Sequence, residues 1–384
     1  MSTRLFYFEK WSFEIKIKIF LFHKIDLFLS NTRLLQPMQT ISLQDYKIHV
    51  GDFRQPLRHI LSERQYTKIA VLVDENTRTH CLPAVAEILT NFPHFIIEIP
   101  SGELNKNIQT CTQIWTKMME NNADRSSLTI NLGGGVIGDM GGFCASTFKR
   151  GMDFLQMPTT LLSQVDASIG GKLGIDFNHI KNSVGVFNNP QTVLIDPQFL
   201  TTLSQREIRS GFGEIVKHSL IADKNQWNSL LKIEDLSKVD WTDYLVPSLK
   251  IKQAIVEEDP FEKGIRKALN FGHTIGHAIE SMALETENPL LHGEAIAAGM
   301  ICESYLSLKD AGLTRAEFEE IKAFIARIYQ PREILEKDYP ELIKLMSKDK
   351  KNEGSAINFT LLTGIGSCKI NETATATEIG ESMK

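Results

Sequence analysis

The chain has 384 residues, of which 42% are hydrophobic and 23% are charged, a balance typical of a soluble globular protein with room for two domains. Its net charge of −5 gives no indication of a nucleic-acid-binding surface, and no apolar run approaches the ~20 residues that cross a membrane. The five cysteines are scattered and never form a CxxC pair, which predicts neither a disulfide framework nor a thiolate zinc site and favours the reducing cytoplasm.

Residues 1–37 differ from the rest, because aromatic and basic side chains are interleaved there without a cap, a turn or a sustained period. The apolar run 19–22 is too short for a secretory signal, and charged residues come soon after it. We interpret 1–37 as a non-native or disordered extension, with Met38 as the working start. An anchor or a partner-binding helix is the alternative.

Regular patterns begin after Met38. Tyr46, Ile48 and Val50 alternate with polar residues, which predicts a half-buried strand. Short apolar runs predict buried strands, and apolar residues at helical spacing predict amphipathic helices between them. The strands are expected at 69–73, 95–99 and 128–132, and the helices at 83–92 and 108–119. This alternation predicts an α/β domain with a mainly parallel sheet over residues 38–200.

The pattern changes near residues 197–203, where we place a domain boundary. Strand-like runs become rare beyond it, and helical patterns dominate, for example at 245–256, 274–282 and 295–308. We therefore predict an all-α domain over residues 201–384. The apolar run 357–362 is either a late strand or an extended tail.

A glycine-rich run occupies residues 133–142 and comes directly after a predicted strand. Glycines let a backbone approach a pyrophosphate, whose charge a helix N-terminus favours. The run satisfies G-x-G-x-x-G, but it lies in a later β–α unit, and no acidic residue closes a strand about 20 positions on. We interpret it as a phosphate-binding loop that departs from the usual dinucleotide fingerprint. Glycines kept for tight turns and close packing are the alternative.

Histidines and a carboxylate suggest a metal site. His273 and His277 are four residues apart, so they share a helix face, as in a metal pair or in one metal contact plus one substrate contact. His292 lies downstream, and Glu214 lies upstream in Gly-Glu-Ile-Val-Lys. Two neutral imidazoles and one carboxylate leave coordination positions open, as a catalytic zinc requires. Histidines that merely pack in the core or lie on the surface are the alternative.

Basic residues are dispersed along the chain, several of them in glycine-rich or otherwise unusual segments. A pocket built from them would suit a doubly charged phosphate together with a carboxylate. Surface lysines without a specific role are the alternative for each one taken alone. The set is Arg150, Lys172, Lys181, Lys217, Lys252, Arg266 and Lys350.

Taken in order, these motifs resemble the 3-dehydroquinate synthase family over roughly residues 40–370. Each motif alone is modest evidence, whereas the ordered set is specific. The segments that carry the resemblance are Ser101-Gly102-Glu103 with Lys106, the run 133–142, Pro158-Thr159-Thr160, Gln164-Val165-Asp166, Gly170-Gly171-Lys172, Lys181-Asn182, Gly213-Glu214 with Lys217, Leu269-Asn270, Gly272-His273-Thr274, Gly276-His277 and His292-Gly293-Glu294.

The resemblance implies a Rossmann-like NAD domain, a helical metal domain and an active site between them. It places one divalent metal, zinc or cobalt, on Glu214, His273 and His292. It places NAD contacts on Asp74, Asn76, Ser101, Gly102, Glu103, Lys106, Gly135, Val136, Ile137, Gly138, Asp139, Thr159, Thr160, Lys172, Lys181, Phe199, Leu200, Thr201 and Thr202. It places catalytic roles on Lys172, Lys217, Lys252, Arg266, Asn270 and His277, and further substrate contacts on Arg150, Asp166, Asn182 and Lys350, with Lys351 an alternative to Lys350.

The implied reaction converts a seven-carbon sugar phosphate into a carbocycle and inorganic phosphate, as a step of aromatic amino acid biosynthesis. It proceeds by transient oxidation by NAD, phosphate elimination, re-reduction and an intramolecular aldol closure. We expect this small sugar phosphate as the partner, with neither nucleic acid nor membrane, and a cytoplasmic homodimer. The alternatives are another sugar phosphate cyclase, a metal-dependent polyol dehydrogenase and a non-catalytic binding protein on the same scaffold.

Overall fold

The computed structural model describes residues 38–178, 180–284, 286–347 and 357–384. The fold is that of Gln39–Lys384, which form one compact unit. The extension predicted for 1–37 lies outside the described residues. Within the described ranges, every helix is too short or too polar to cross a bilayer.

A seven-stranded sheet organises the N-terminal half. Its spatial order is β1-β2-β9-β6-β5-β3-β4, in which β1 pairs antiparallel with β2 and the other neighbours are parallel. Two antiparallel hairpins, β7–β8 and β10–β11, lie outside it. The strands are β1 Gln39–Ser42, β2 Lys47–Val50, β3 Ile69–Val73, β4 His94–Glu98, β5 Leu128–Gly133, β6 Asp153–Pro158, β7 Lys172–Phe177, β8 Ile180–Phe187, β9 Thr192–Ile195, β10 Asn358–Gly364 and β11 Ser367–Thr373.

Helices connect the parallel strands and then make up most of the C-terminal half. Short 3₁₀ segments, among them Glu103–Asn105, Pro197–Thr202 and Ile265–Asn270, and a π-helical turn at Ser163–Ala167 join them. The α-helices are α1 Arg54–Glu63, α2 Glu75–His80, α3 Leu82–Leu89, α4 Ile108–Glu120, α5 Gly135–Thr147, α6 Gln205–Ala222, α7 Lys224–Leu230, α8 Thr242–Glu258, α9 His273–Ala283, α10 His292–Asp310, α11 Arg315–Tyr329, α12 Tyr339–Ser347 and α13 Ala376–Ser382.

The predicted fold class is confirmed: a mainly parallel α/β half precedes a helical half. Every residue of β3 and of β5 is buried, as expected of central strands covered by helices on both faces. The late apolar run forms β10, so the C-terminal half is helical except for one hairpin. The two domains predicted on either side of 197–203 stay a prediction. A core cluster crosses that boundary and includes Ile48, Phe212 and Leu362.

Candidate active site

Most of the predicted NAD-binding residues come after the carboxyl ends of five parallel strands. Asp74 and Asn76 come after β3, residues 101–103 after β4, and Gly135 after β5. Thr159 and Thr160 come after β6, and residues 199–202 after β9. Carboxyl ends of parallel strands meet at one edge of a sheet, which is where open α/β folds bind their ligands. The fold therefore brings these dispersed residues to one edge.

The glycine-rich run crosses from β5 into α5, and its glycines have different uses. A Cβ atom at Gly141 would lie only 2.1 Å from Oδ1 of Asn131, so close packing requires glycine there. A Cβ at Gly135 would meet Ala167 at 3.4 Å, an ordinary contact, so packing alone does not require glycine at this position. Gly135 is the first residue of α5, and the N-terminus of a helix favours a phosphate.

Lys106 lies at the centre of a polar network at this edge. Its Nζ donates to Oδ2 of Asp139 and to Oδ1 of Asn182, each at 2.6 Å, and it is 4% exposed. Burial acts against the ammonium charge, but the carboxylates of Asp139 and Glu103 outweigh it and raise the pKa of Lys106. The lysine therefore stays charged and joins α5 to the β7–β8 hairpin.

Replacing Lys106 with methionine should weaken NAD binding by at least about tenfold, because a charged donor at the phosphate edge would be lost. Isothermal titration with NAD measures the dissociation constant directly. Lys117→Met is the matched control, since Lys117 lies on the next helix with an exposed side chain. Equal NAD affinity in both variants would remove Lys106 from the proposed cofactor site.

The metal set comes from three helices. Glu214 lies inside α6, His273 begins α9 and His292 begins α10. A Cβ at Gly293 would lie 1.9 Å from the carbonyl oxygen of Ser210, so glycine there is what lets the start of α10 touch α6. Nε2 of His273 and Nε2 of His292 consequently lie 3.5 and 3.4 Å from Oε1 of Glu214.

The donor atoms of this set suit a divalent metal. Nδ1 of His273 contacts the carbonyl oxygen of Phe271 at 3.0 Å, and Nδ1 of His292 contacts a carboxylate oxygen of Glu280 at 3.4 Å. Both partners accept hydrogen bonds, so each Nδ1 carries hydrogen, and each Nε2 would present its lone pair to a bound metal. Oε1 of Glu214, fully buried, accepts no hydrogen bond from the described residues. A divalent cation between these three groups would satisfy the buried carboxylate and both imidazole nitrogens.

The spacing agrees with tetrahedral coordination. Ligand atoms about 2.0–2.1 Å from a tetrahedral zinc are roughly 3.4 Å apart, close to the 3.4 and 3.5 Å measured here. The structure also groups His277 with His273 and His292, their nitrogens all within 4.8 Å of one another. In the Glu214 set the two distances from the carboxylate to the imidazoles match the tetrahedral spacing, whereas the distances among the histidines are known only to be within 4.8 Å.

A cluster of buried charges adjoins the metal set. Lys217, one helical turn after Glu214, forms an ion pair with its carboxylate. Lys252 on α8 donates to Oδ1 of Asp166 at 2.6 Å, and Nε2 of His218 lies 3.8 Å from the same oxygen. Burial alone would raise the pKa of Asp166, but the cations of Lys252 and Lys217 lower it, so this carboxylate stays ionised.

A second group of polar residues lies beside this cluster. Lys172 on β7 pairs with Glu262, and Nδ2 of Asn270 donates to the same carboxylate at 3.0 Å. Arg266 is 2% exposed, and its guanidinium donates to the carbonyl oxygens of Gly170 and Pro260. Among the described residues, its buried Nε has no acceptor. A buried guanidinium held by neutral carbonyls retains its charge for an anionic ligand.

Comparisons with known proteins agree with this arrangement. The family model for the 3-dehydroquinate synthase N-terminal region matches residues 96–210, and that for the C-terminal region matches residues 211–352. The chain belongs to the 3-dehydroquinate synthase family. The 3-dehydroquinate synthase of Parabacteroides distasonis is 44% identical over 334 residues, which cover 86% of this chain and 95% of that protein. The one from Lactococcus lactis is 41% identical over 293 residues, covering 75% and 81%.

Solved structures share the fold of this 3-dehydroquinate synthase family member. A 2-deoxy-scyllo-inosose synthase complexed with carbaglucose-6-phosphate, NAD+ and Co2+ aligns with a TM-score of 0.80 at 22% identity, over 90% of this chain and 99% of that one. A 2-epi-5-epi-valiolone synthase from Streptomyces hygroscopicus with NAD+ and Zn2+ gives 0.77 at 24%, over 90% and 98%. A glycerol dehydrogenase from Schizosaccharomyces pombe gives 0.57 at 14%, over 86% of each chain. Family membership makes the chain an enzyme.

Two predicted substrate residues are not seen in the cluster. Arg150 is exposed and lies beyond the C-terminal end of α5, a helix of 13 residues whose other end is Gly135. At about 1.5 Å per residue, the helix separates them by roughly 20 Å. Lys350, like Lys351, lies outside the described residues. Both assignments stay predictions.

Several residues of the site were not predicted from the sequence. Glu262 and His218 had no local pattern to mark them, because their partners come from distant segments. Glu303 is buried in α10 and accepts from the backbone N–H of Gly272 and of Ile275, where it fixes the start of α9. Glu280 had a usable signal: it lies three residues after His277 and therefore on the same helix face.

Proposed function

We propose that the chain is a 3-dehydroquinate synthase, which converts 3-deoxy-D-arabino-heptulosonate 7-phosphate into 3-dehydroquinate and inorganic phosphate. One observation carries the proposal: ion pairs connect a metal-type donor set, a cluster of buried cations and the hairpin at the dinucleotide edge. Lys217 of the cation cluster pairs with Glu214 of the donor set. Lys181 on the hairpin pairs with Glu280, which contacts His292 of the donor set. Oxidation, metal assistance and phosphate binding can therefore act on one small molecule.

The family and the fold neighbours support the cofactor assignment. We assign NAD to the edge formed by the strand ends, and one zinc or cobalt ion to Glu214, His273 and His292. Bound NAD would supply reversible oxidation of a substrate hydroxyl, and the divalent cation would supply Lewis acidity at the same carbon. Because re-reduction comes after elimination, NAD serves catalytically and the enzyme is a phosphate lyase and cyclase.

The chain's own residues bind and orient the substrate. Arg266 and Lys252 present buried positive charge and Lys172 presents a more exposed one, and charge-assisted hydrogen bonds from such groups to phosphate and carboxylate are strong. Fixed cations also stabilise the charge that develops as phosphate leaves. Asp166, ionised and bonded to Lys252, holds that lysine in place. Asn270 and Asn182 contribute neutral polar groups to the same region.

A polyol dehydrogenase is the rival function, and the charges argue against it. The guanidinium of Arg266 is buried and bonded to neutral carbonyl oxygens, and a neutral polyol would bring no anion to it. Another sugar phosphate cyclase shares the phosphate but lacks the substrate carboxylate. The buried guanidinium of Arg266 suits that carboxylate, which favours the heptulosonate.

We also infer a homodimer that works in the cytoplasm.

Phosphate release with catalytic NAD tests the function. We expect one inorganic phosphate per heptulosonate phosphate consumed, with NAD at a small fraction of the substrate concentration and no steady rise in absorbance from NADH. Glycerol and a carboxylate-free hexose phosphate serve as the comparison substrates. Stoichiometric NADH from glycerol, without phosphate release from the heptulosonate, would assign the chain to the dehydrogenases instead.

The rate should fall on the alkaline side because of Lys252. Burial lowers the pKa of Lys252 to about 8, although the charge of Asp166 opposes the shift. The ammonium form attracts the anionic substrate, so the free enzyme loses this attraction as pH rises through that value. We expect kcat/KM to fall roughly tenfold per pH unit above it. Lys252→Arg should move this limb to higher pH, whereas Lys250→Arg should leave it in place.

A further inference from the structure

Glu280 lies at the junction of the metal set and the β7–β8 hairpin. It is on α9, seven residues after His273, and is 8% exposed. Its two carboxylate oxygens have different partners. Oε2 lies 3.4 Å from Nδ1 of His292, and Oε1 accepts from Nζ of Lys181 at 2.8 Å.

The contact with His292 determines which ring nitrogen faces the metal set. Oε1 of Glu280 pairs with the ammonium of Lys181, which leaves Oε2 to accept from Nδ1 of His292. An ionised carboxylate accepts only, so Nδ1 of His292 must carry the hydrogen. Nε2 of that ring then points at Oε1 of Glu214, 3.4 Å away. Glu280 therefore sets both the tautomer and the orientation of His292.

The contact with Lys181 reaches the dinucleotide edge. Lys181 lies on β8, and the next residue, Asn182, accepts from Lys106 at 2.6 Å. A continuous chain of polar contacts thus runs from the metal set through Glu280 and the hairpin to Lys106. Strand β8 pairs with β7, and most of its side chains are exposed, so Glu280 is one of the groups outside the hairpin that contact it.

We propose that Glu280 is a positioning residue that couples metal affinity to the β7–β8 hairpin; the inference rests on the metal site of the proposed function. Glu280 holds His292 ready to bind the metal, and Lys181 keeps Glu280 in place. A carboxylate that hydrogen-bonds to a metal-binding histidine typically changes metal affinity by about 10- to 100-fold. A buried ion pair that served only packing would change stability but not metal affinity.

The test measures zinc affinity of the full chain by competition with a chromophoric chelator, without reference to turnover. Glu280→Gln keeps the shape of the side chain and should bind zinc about 10- to 100-fold more weakly. Lys181→Met should weaken zinc binding less, by several-fold, because the carboxylate remains. Glu287→Gln, an exposed change of the same charge, is the matched control and should bind zinc like the natural chain.

Substitution with cobalt gives a second readout, since the visible absorption of bound Co2+ reports the ligand geometry. We expect a shifted spectrum in Glu280→Gln and an unchanged one in Glu287→Gln. Unchanged zinc affinity and spectrum in folded Glu280→Gln would overturn the inference. If Glu280→Gln does not fold, the same zinc affinity and cobalt spectrum are measured for Lys181→Met, and unchanged values there would overturn the inference. A natural chain that binds no zinc would instead refute the metal site of the proposed function.

Discussion

Replacement of His273 by alanine is expected to remove stoichiometric metal and nearly all activity while the chain stays folded. His273 and His292 each bring one nitrogen within 3.5 Å of the Glu214 carboxylate, so losing one leaves two donors of three. Metal assistance contributes several kcal/mol, which corresponds to a rate loss on the order of 10³-fold. Elemental analysis of the purified variant gives the metal content, and circular dichroism reports the fold.

Two further variants distinguish the candidate ligand sets. If Glu214 completes the set, Glu214→Gln should lose metal, whereas His277→Ala should keep it and lose activity for want of a substrate contact. If the three histidines form the set instead, His277→Ala should lose the metal and Glu214→Gln should keep it. His94→Ala, which changes an exposed histidine, is the control for histidine removal as such. Full metal content in His273→Ala would exclude His273 as a ligand under either scheme.

Strands buried on both faces were predictable because their sequences are unbroken apolar runs. The prediction at 69–73 coincides with β3, and that at 128–132 is one residue shorter than β5. The β7–β8 hairpin had no such signal, since most of β8 is exposed and only tertiary contacts fix it. β6 was likewise not predicted, because it begins with an aspartate and ends with a proline.

In the candidate site too, some residues could be predicted from the sequence and others could not. Glu214 and the histidines could be predicted because they lie in short local motifs. In a helix, residues four apart lie on the same face, so such a spacing predicts side chains that are close in space. The partners that orient these residues were not found, because they come from distant positions. Lys172 and Glu262 are 90 residues apart, and Lys181 and Glu280 are 99 apart. The residues assigned to a ligand lie together in local sequence motifs. The carboxylates that orient them come from distant segments, and only the fold brings them close.

Replacing Lys252 with methionine should slow phosphate release far more than it weakens NAD binding. Lys252 is 4% exposed and donates to Asp166 at 2.6 Å in the cation cluster. Methionine fills similar volume but brings no charge to a departing phosphate. Losing one fixed group that stabilises developing negative charge typically lowers the rate by about 10²- to 10³-fold.

The measurement compares single-turnover phosphate release with the NAD dissociation constant in the same Lys252→Met preparation. Lys250→Met is the control, because Lys250 lies on the same helix with an exposed side chain and should leave both quantities unchanged. Thermal unfolding separates a catalytic loss from a structural one, since Asp166 loses its nearest cation in the variant. The NAD dissociation constant should change by less than about threefold, because Lys252 belongs to the residues assigned to the substrate and not to those assigned to NAD. Parallel losses of NAD binding and phosphate release would instead place Lys252 in the cofactor site.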